Sequence, residues 1–364
     1  MLIYWLIFLY FAAGALSSPV TPAFAPGSAA VAGPNGAVVR QPREFRFFLI
    51  LGAIMVICLI GARYKVGADW WAYQGIFADS GRHGLMSVIK IGDPAFEAVN
   101  WAVHTAGYRV WLVNFICAAI FGWGLFRFCS VQPLPWLAFA IAIPYMIIVV
   151  AMGYTRQAVA LGILMAGLAS QTRGASIFNF AIYTAVAASF HATAVTVFPL
   201  VAFAGRGNRA VNLLVAVAVG MLLYKFFLGE KMEGFVESYI DTEYSSQGAF
   251  IRVAMNMIAA VCLWSFGKRL RFSEHERKIW RNFSLGALGL MILLMVLSSS
   301  TAVDRIALYI MPLQIAVLTR VGITGDNRFA GIAAILTYLF LVQFVWLNFA
   351  QHARYWIPYH FYPF

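Results

Sequence analysis

The residues able to do chemistry gather in a few short stretches. The densest is 63–77, where Arg63, Lys65 and Asp69 stand among Tyr64, Trp70, Trp71 and Tyr73, directly after an apolar run. Cations attract phosphate, aromatic faces cover sugar rings, and a carboxylate takes up a proton, so this stretch suits a ligand carrying both phosphate and sugar. The plainer account is an interfacial belt, with Trp and Tyr at the lipid headgroups and Arg or Lys reaching outward. Arg156 comes after Gly153, Tyr154 and Thr155, and Arg305 after Ser300 and Thr301, each opening an apolar run. The helix dipole disfavours a cation at an N-terminus unless an anion is near. Two such arginines at one membrane face therefore suggest an anion between them. A pyrophosphate would satisfy both and accept bonds from the free helix N–H groups, whereas snorkelling to lipid phosphate is the alternative.

Asp93-Pro94 has the form of a helix start, with Asp at the cap and Pro in the first turn. Glu97 and Asn100 follow about one turn on, on a similar face. Asp304 stands three residues after Thr301, the spacing of a capping pair. His191, flanked by Ser189 and Thr193, lies between two short apolar pieces. An ionisable residue at membrane depth is either functional or a hydrogen-bonded core residue. No His/Glu/Cys spacing suits a metal, and the sequence has neither a Gly-Lys phosphate loop nor a Gly-x-Ser-x-Gly elbow. No metal and no cofactor is expected.

The elements that position these residues are membrane spans. Of 364 residues, 62% are hydrophobic and only 11% charged, against about a quarter charged in soluble domains. The formal charge of +12 is spread over short loops, as basic topogenic signals are, so it does not point to nucleic acid. Cys58, Cys117, Cys129 and Cys262 lie in or beside apolar runs without paired spacing and read as core residues, not disulfides or zinc ligands. The first seventeen residues lack a basic leader region and read as a first span.

The expected fold is an all-α polytopic integral membrane protein, a single transmembrane domain over 1–364 with about 11–12 spans, some short or broken. The spans fall near 1–17, 46–62, 109–128, 133–152, 155–170, 210–228, 250–267, 283–298, 303–320 and 330–349. The pieces 176–190 and 192–204 are each too short for a straight crossing, which needs about 20 residues. They are half-helices meeting in a cavity or one long tilted helix. A Pro/Ala/Gly-rich loop, 18–45, closes on Arg40 and Arg43 and is assigned to the cytoplasm, as is the basic loop 268–282 with Lys268, Arg269, Arg271, Arg277, Lys278 and Arg281. The segment 63–108, with an amphipathic helix from Pro94, and the acidic loop 229–249 are then outside. With these sides, the embedded polar clusters fall together on the outer face.

Taken in order, Val66-Gly67-Ala68-Asp69-Trp70 with Tyr73, Asp93-Pro94, Tyr154-Thr155-Arg156-Gln157, Phe190-His191-Ala192-Thr193-Ala194, Asp304-Arg305 to Tyr309, and Trp356-Ile357-Pro358-Tyr359 resemble the EpsG family, Wzy-like membrane proteins of bacterial exopolysaccharide synthesis. The resemblance runs from about residue 46 to the end. Ala68 stands where that family often has Thr, Asp93-Pro94 where it often has Glu-Pro, and the Pro-rich segment has no counterpart.

The resemblance implies a polymerase of lipid-linked repeat units, with an all-helical glycosyltransferase fold of the GT-C type. A growing glycan would pass from undecaprenyl pyrophosphate to a sugar hydroxyl of an incoming lipid-linked oligosaccharide, in the bacterial cytoplasmic (inner) membrane and on its periplasmic side. Membrane lipids and a polysaccharide chain-length regulator are the other candidate partners, and nucleic acid is not one. Such a reaction needs a stabilised leaving pyrophosphate and a base near the acceptor hydroxyl. Arg156 and Arg305, helped by Arg63 or Lys65, are expected to hold the pyrophosphate. Asp69 is the first choice of base, with Asp93, Glu97 and His191 behind it. Trp70, Trp71, Tyr73, Trp356 and Tyr359 would bind sugar rings. A flippase or exporter of lipid-linked glycan would share such a cavity, but should carry an internal repeat, which is not seen. A membrane glycan ligase or O-acyltransferase is a third reading.

Overall fold

The computed structural model describes residues 1–19, 43–205, 213–214, 217–222, 225, 248–297 and 300–362. The described residues are almost entirely helical, as the composition requires: a backbone in lipid must satisfy its own hydrogen bonds. In chain order the helices are α1 (Leu2–Ser17), α2 (Arg43–Gly61), α3 (Trp70–Ser80), α4 (Leu85–Ile91), α5 (Pro94–Thr105), α6 (Val110–Cys129), α7 (Pro135–Ala142), α8 (Thr155–Thr172), α9 (Ile177–Phe190), α10 (Phe198–Ala202), α11 (Ala249–Phe266), α12 (Glu274–Val296), α13 (Ser300–Ile310), α14 (Pro312–Val321) and α15 (Arg328–Phe349). The chain is a polytopic membrane protein. Among the described residues, α2, α6, α11, α12 and α15 are long and apolar enough to cross a membrane, α11 together with the short 3-10 turn that follows it. Helices α13 and α14, bent by 49°, count as a sixth, broken span.

Several expected spans take other forms. The run near 133–152 is α7 followed by a π-helical stretch, Ile143–Ala151, that leads into Tyr154. Such stretches often accompany functional sites. The run near 303–320 breaks at Met311, because Pro312 has no N–H to continue the ladder. The two short pieces are broken rather than one tilted helix: His191 is extended (φ −159°, ψ 111°) between α9 and a 3-10 turn, Ala192–Val197. Helix α12 begins inside the basic stretch expected as a loop. There a Ser273–Glu276 capping box starts the helix, so Arg277, Lys278 and Arg281 sit on its first turns. The segment 63–108 holds three helices, α3 to α5, where one was expected. The Pro-rich segment as far as 42, the span near 210–228 except for a few residues, and the acidic loop up to 247 lie outside the described residues.

Helices α6 and α8 pack through glycine. A Cβ on Gly124 would stand 1.8 Å from the Gly162 carbonyl oxygen, so the two backbones touch directly, the small-residue contact that brings membrane helices together. The chain alternates between two ends. At one end Tyr4 donates to the Trp356 carbonyl (2.8 Å) and Arg63 to Asn114 (3.1 Å) and Thr155 (2.8 Å). At the other, Arg320 donates to Gln132 (2.9 Å) and Glu276 (3.3 Å), and Arg328 to the Ser18 carbonyl. The second end is the basic one. The first carries the candidate site.

Candidate functional site

Three backbone breaks meet at the first end: the turn 62–69, the junction 152–155, and His191. Gly67 makes the closest of these contacts. Its φ is +104°, and a Cβ there would lie 2.3 Å from the Met152 carbonyl oxygen. Only glycine fits both demands. The chain's tail laces over this turn, with Gly67 N donating to the Tyr355 carbonyl (2.9 Å), Tyr64 N to His360 (2.9 Å) and Tyr362 N to Ala62 (2.7 Å).

On this frame the acids and bases of distant segments converge. Arg156 donates to Asp93 Oδ2 at 2.9 Å, with side chains 35% and 8% exposed, and it lies within electrostatic reach of the Tyr73 hydroxyl. Asp69 is within electrostatic reach of both Arg305 and Arg156. The Arg305 guanidinium lies 4.7 Å from the Tyr154 ring centroid, and its carbonyl accepts from Gln157 Nε2. His191 Nδ1 is 2.7 Å from Thr193 Oγ1 and 3.2 Å from the Tyr309 hydroxyl. Asp304 is gripped by Arg252 through two nitrogens.

Two acids stand at helix-cap positions and do not cap. Asp93 and Asp69 occupy the positions before α5 and α3, yet neither side chain makes a capping bond. Asp93 turns to Arg156, and Asp304 to Arg252. A cap is worth about 1 kcal/mol, so diverting these carboxylates gives up local helix stability for a long-range arrangement.

Two charged groups in the cluster stand out. Among the described residues, no hydrogen bond or ion pair engages the Asp69 carboxylate or the Arg305 guanidinium, and both are half-buried. Burial holds the Asp69 carboxyl above the usual carboxylate range, against the pull of Arg305 and Arg156. The other expected bases are engaged: Asp93 by Arg156, His191 by Thr193 and Tyr309, and Glu97 buried against Gly92, where a Cβ would meet its carboxylate at 2.3 Å. Arg305 sits in the second turn of α13, so the helix dipole bears on it less than on Arg156, the second residue of α8.

Other expected ligands are enclosed. Arg63 is 1% exposed and donates to the Ile60 carbonyl (2.6 Å), Asn114 and Thr155. It therefore braces the start of α8 instead of reaching a pyrophosphate. Trp356 is 2% exposed. Its indole donates to the Ile148 carbonyl at 2.7 Å and its ring covers Gly153. Tyr359 donates to the Leu59 carbonyl at 2.7 Å, Trp70 is buried against Tyr64 (5.8 Å between rings), and Tyr73 is buried against Phe96 (5.7 Å). Trp356, Trp70 and Tyr73 support the site and offer no face to a sugar, while Tyr359 is half-buried. Of the aromatic set only Trp71 is open, at 68% exposure. Lys65 is exposed too and lies 5.7 Å from the Trp71 ring centroid, apart from the arginine cluster.

Sequence reading passed over Arg252, Tyr145 and Asn114, and quoted Tyr154 without giving it a role. The signal for Arg252 was present, as a lone charge in the apolar helix α11. Its partner, fifty-two residues away, was not legible. Among the described residues no group of three His, Cys, Asp or Glu is placed to hold a metal. The EpsG family model matches residues 45–361. No curated protein and no solved structure matches the chain.

Proposed function

Because this chain belongs to the EpsG family, exopolysaccharide-related and polymerase-like membrane proteins, we propose that it polymerises oligosaccharide repeat units carried on undecaprenyl pyrophosphate. It acts on the extracytoplasmic side of a bacterial cytoplasmic membrane as an all-helical glycosyltransferase. The observation that carries this reading is the pairing of two unengaged, half-buried charges, Asp69 and Arg305, beside Arg156. An unpaired cation away from bulk water calls for an anion.

The acceptor sugar hydroxyl attacks the anomeric carbon of the growing glycan. The new C–O bond forms as the bond from that carbon to the pyrophosphate oxygen breaks. The hydroxyl proton passes to the Asp69 carboxylate, and the electron pair leaves with the lipid pyrophosphate. Arg305 and Arg156 stabilise the charge that grows on the leaving group, and such stabilisation is strong where water is excluded. Asp93 orients the Arg156 guanidinium, and Tyr154 covers Arg305. A carboxylate with a raised pKa suits the base, because a base works best near the operating pH. Trp71, with Lys65 beside it, is the open surface on which an acceptor sugar would stack.

The test is incubation of the purified full chain with a defined undecaprenyl-pyrophosphate-linked oligosaccharide. Products of increasing length with stoichiometric release of undecaprenyl pyrophosphate are expected, and Arg156→Ala should abolish lengthening while the protein stays in the membrane. Units that cross a vesicle wall without lengthening would make the protein a carrier and end this reading.

A further inference from the structure

A buried ion pair stands behind the site, and the proposed reaction does not use it. Arg252 enters from α11 and Asp304 from α13, and each side chain is 5% exposed. Arg252 Nε and Nη2 take the two oxygens of Asp304. Nη1 donates to the Tyr145 hydroxyl at 2.8 Å, and the guanidinium lies 5.6 Å from the Tyr145 ring centroid. Room for it is kept at Gly248, where a Cβ would come within 3.0 Å of Nη1.

Stability alone does not account for this pair. Burying two charges costs more than packing apolar side chains of the same volume, and lipid surroundings raise that cost. What the pair does have is an address. Asp304 immediately precedes Arg305. Tyr145 belongs to the π-helical stretch that runs into Tyr154 and Arg156. One guanidinium therefore ties together the two segments that carry the site's arginines. A second tie repeats the pattern one turn deeper: Asn256, four residues on in α11, donates to the Ala307 carbonyl at 2.8 Å and accepts from Gln314 at 2.7 Å. Helix α13, cut off from α14 by the break at Met311, has its first turns fixed to α11 at both points.

We propose that Arg252 is a positioning residue, which by holding Asp304 and Tyr145 together sets the place of Arg305 relative to Arg156 and so the grip of both on a diphosphate. The inference rests on the reading of these arginines as diphosphate ligands. Arg252 does not touch the substrate, and it acts through Arg305.

The experiment is binding of undecaprenyl pyrophosphate to the full chain in lipid nanodiscs, for wild type, Arg252→Lys, the double variant Arg252→Gln/Asp304→Asn, Arg305→Ala, and each Arg252 change on the Arg305→Ala background. The lysine keeps the charge and loses the fork. The double variant removes both charges of the pair together, so at least one of the two should fold. Either change is expected to weaken binding on the order of 10- to 100-fold, the scale seen when an outer partner that orients a ligand-holding group is lost, and to have no further effect once Arg305 is alanine. Binding that needs Arg305 but ignores Arg252 would overturn the tether alone. So would an equal loss with and without Arg305, since that marks general destabilisation. Wild-type binding that does not change in Arg305→Ala would remove the diphosphate reading and this inference with it.

Discussion

Among the described residues, no hydrogen bond or ion pair engages the charged groups of Asp69 and Arg305, unlike those of the acids and arginines packed around them. Asp93, Asp304, Arg63, Arg156 and Arg252 all meet protein partners, which fixes their geometry. That contrast separates groups that shape the site from groups left open for a ligand. It also sets a pH dependence. A base must be ionised to accept a proton, and burial holds the Asp69 carboxyl above the usual carboxylate range. The polymerisation rate should therefore fall as pH drops through that raised value and recover as pH rises. Arg305 lowers the Asp69 pKa, so the residual activity of Arg305→Gln should show this acid limb moved to higher pH. Asp69→Asn should remove lengthening at every pH. An acid limb that stays in place in Arg305→Gln would assign the titration to another group.

At the scale of elements, the site depends on where helices stop. Arg156 is presented by the junction after a π-helical stretch, His191 by an extended residue between α9 and a 3-10 turn, and Asp69 by the turn before α3. Gly67 is the contact that joins two of these breaks. Gly67→Ala would force a positive φ on alanine and press its methyl into the Met152 carbonyl. The expected cost is about 1–3 kcal/mol, read as a lower thermal midpoint in detergent together with weakened polymerisation, since Arg156 lies just beyond that carbonyl. Gly75→Ala is the control. It lies in α3 with open space around it, and should be neutral or stabilising by up to about 1 kcal/mol. Equal effects of the two changes would mean that the 67–152 contact has no special part.

Across the described residues, the charged groups of the site and those of the basic stretch fall at two ends, and helices α1, α6, α13 with α14, and α15 each run between them. The site end carries Asp69, Arg156, His191 and Arg305, and the other carries the basic residues from Lys268 to Arg281, with Arg320 and Arg328. If positive charge marks the cytoplasm, the two ends face different compartments. In a background with the four cysteines replaced, Trp71→Cys should react with a membrane-impermeant maleimide from outside intact spheroplasts, and Arg269→Cys only after lysis. Both positions are exposed. Labelling of both from one side would contradict the alternation.

Composition alone determined that this chain lives in a membrane and is helical, because so apolar a sequence can satisfy its backbone only by helices once inside lipid. The order of short motifs, with the basic loops between them, also made the grouping of Asp69, Arg156, His191 and Arg305 at one end legible before any coordinates. What sequence left open was which member of each motif faces a ligand and which holds the frame. Arg63 and Trp356 look as chemical as Arg305 and Trp71, and an acid before a helix looks like a cap. Those choices turn on partners far away in the chain, Thr155 for Arg63, Ile148 for Trp356, Arg156 for Asp93 and Arg252 for Asp304. A side chain's local pattern records its own preferences, but its burial and its partner are properties of the packed bundle, so only the tertiary structure decided them.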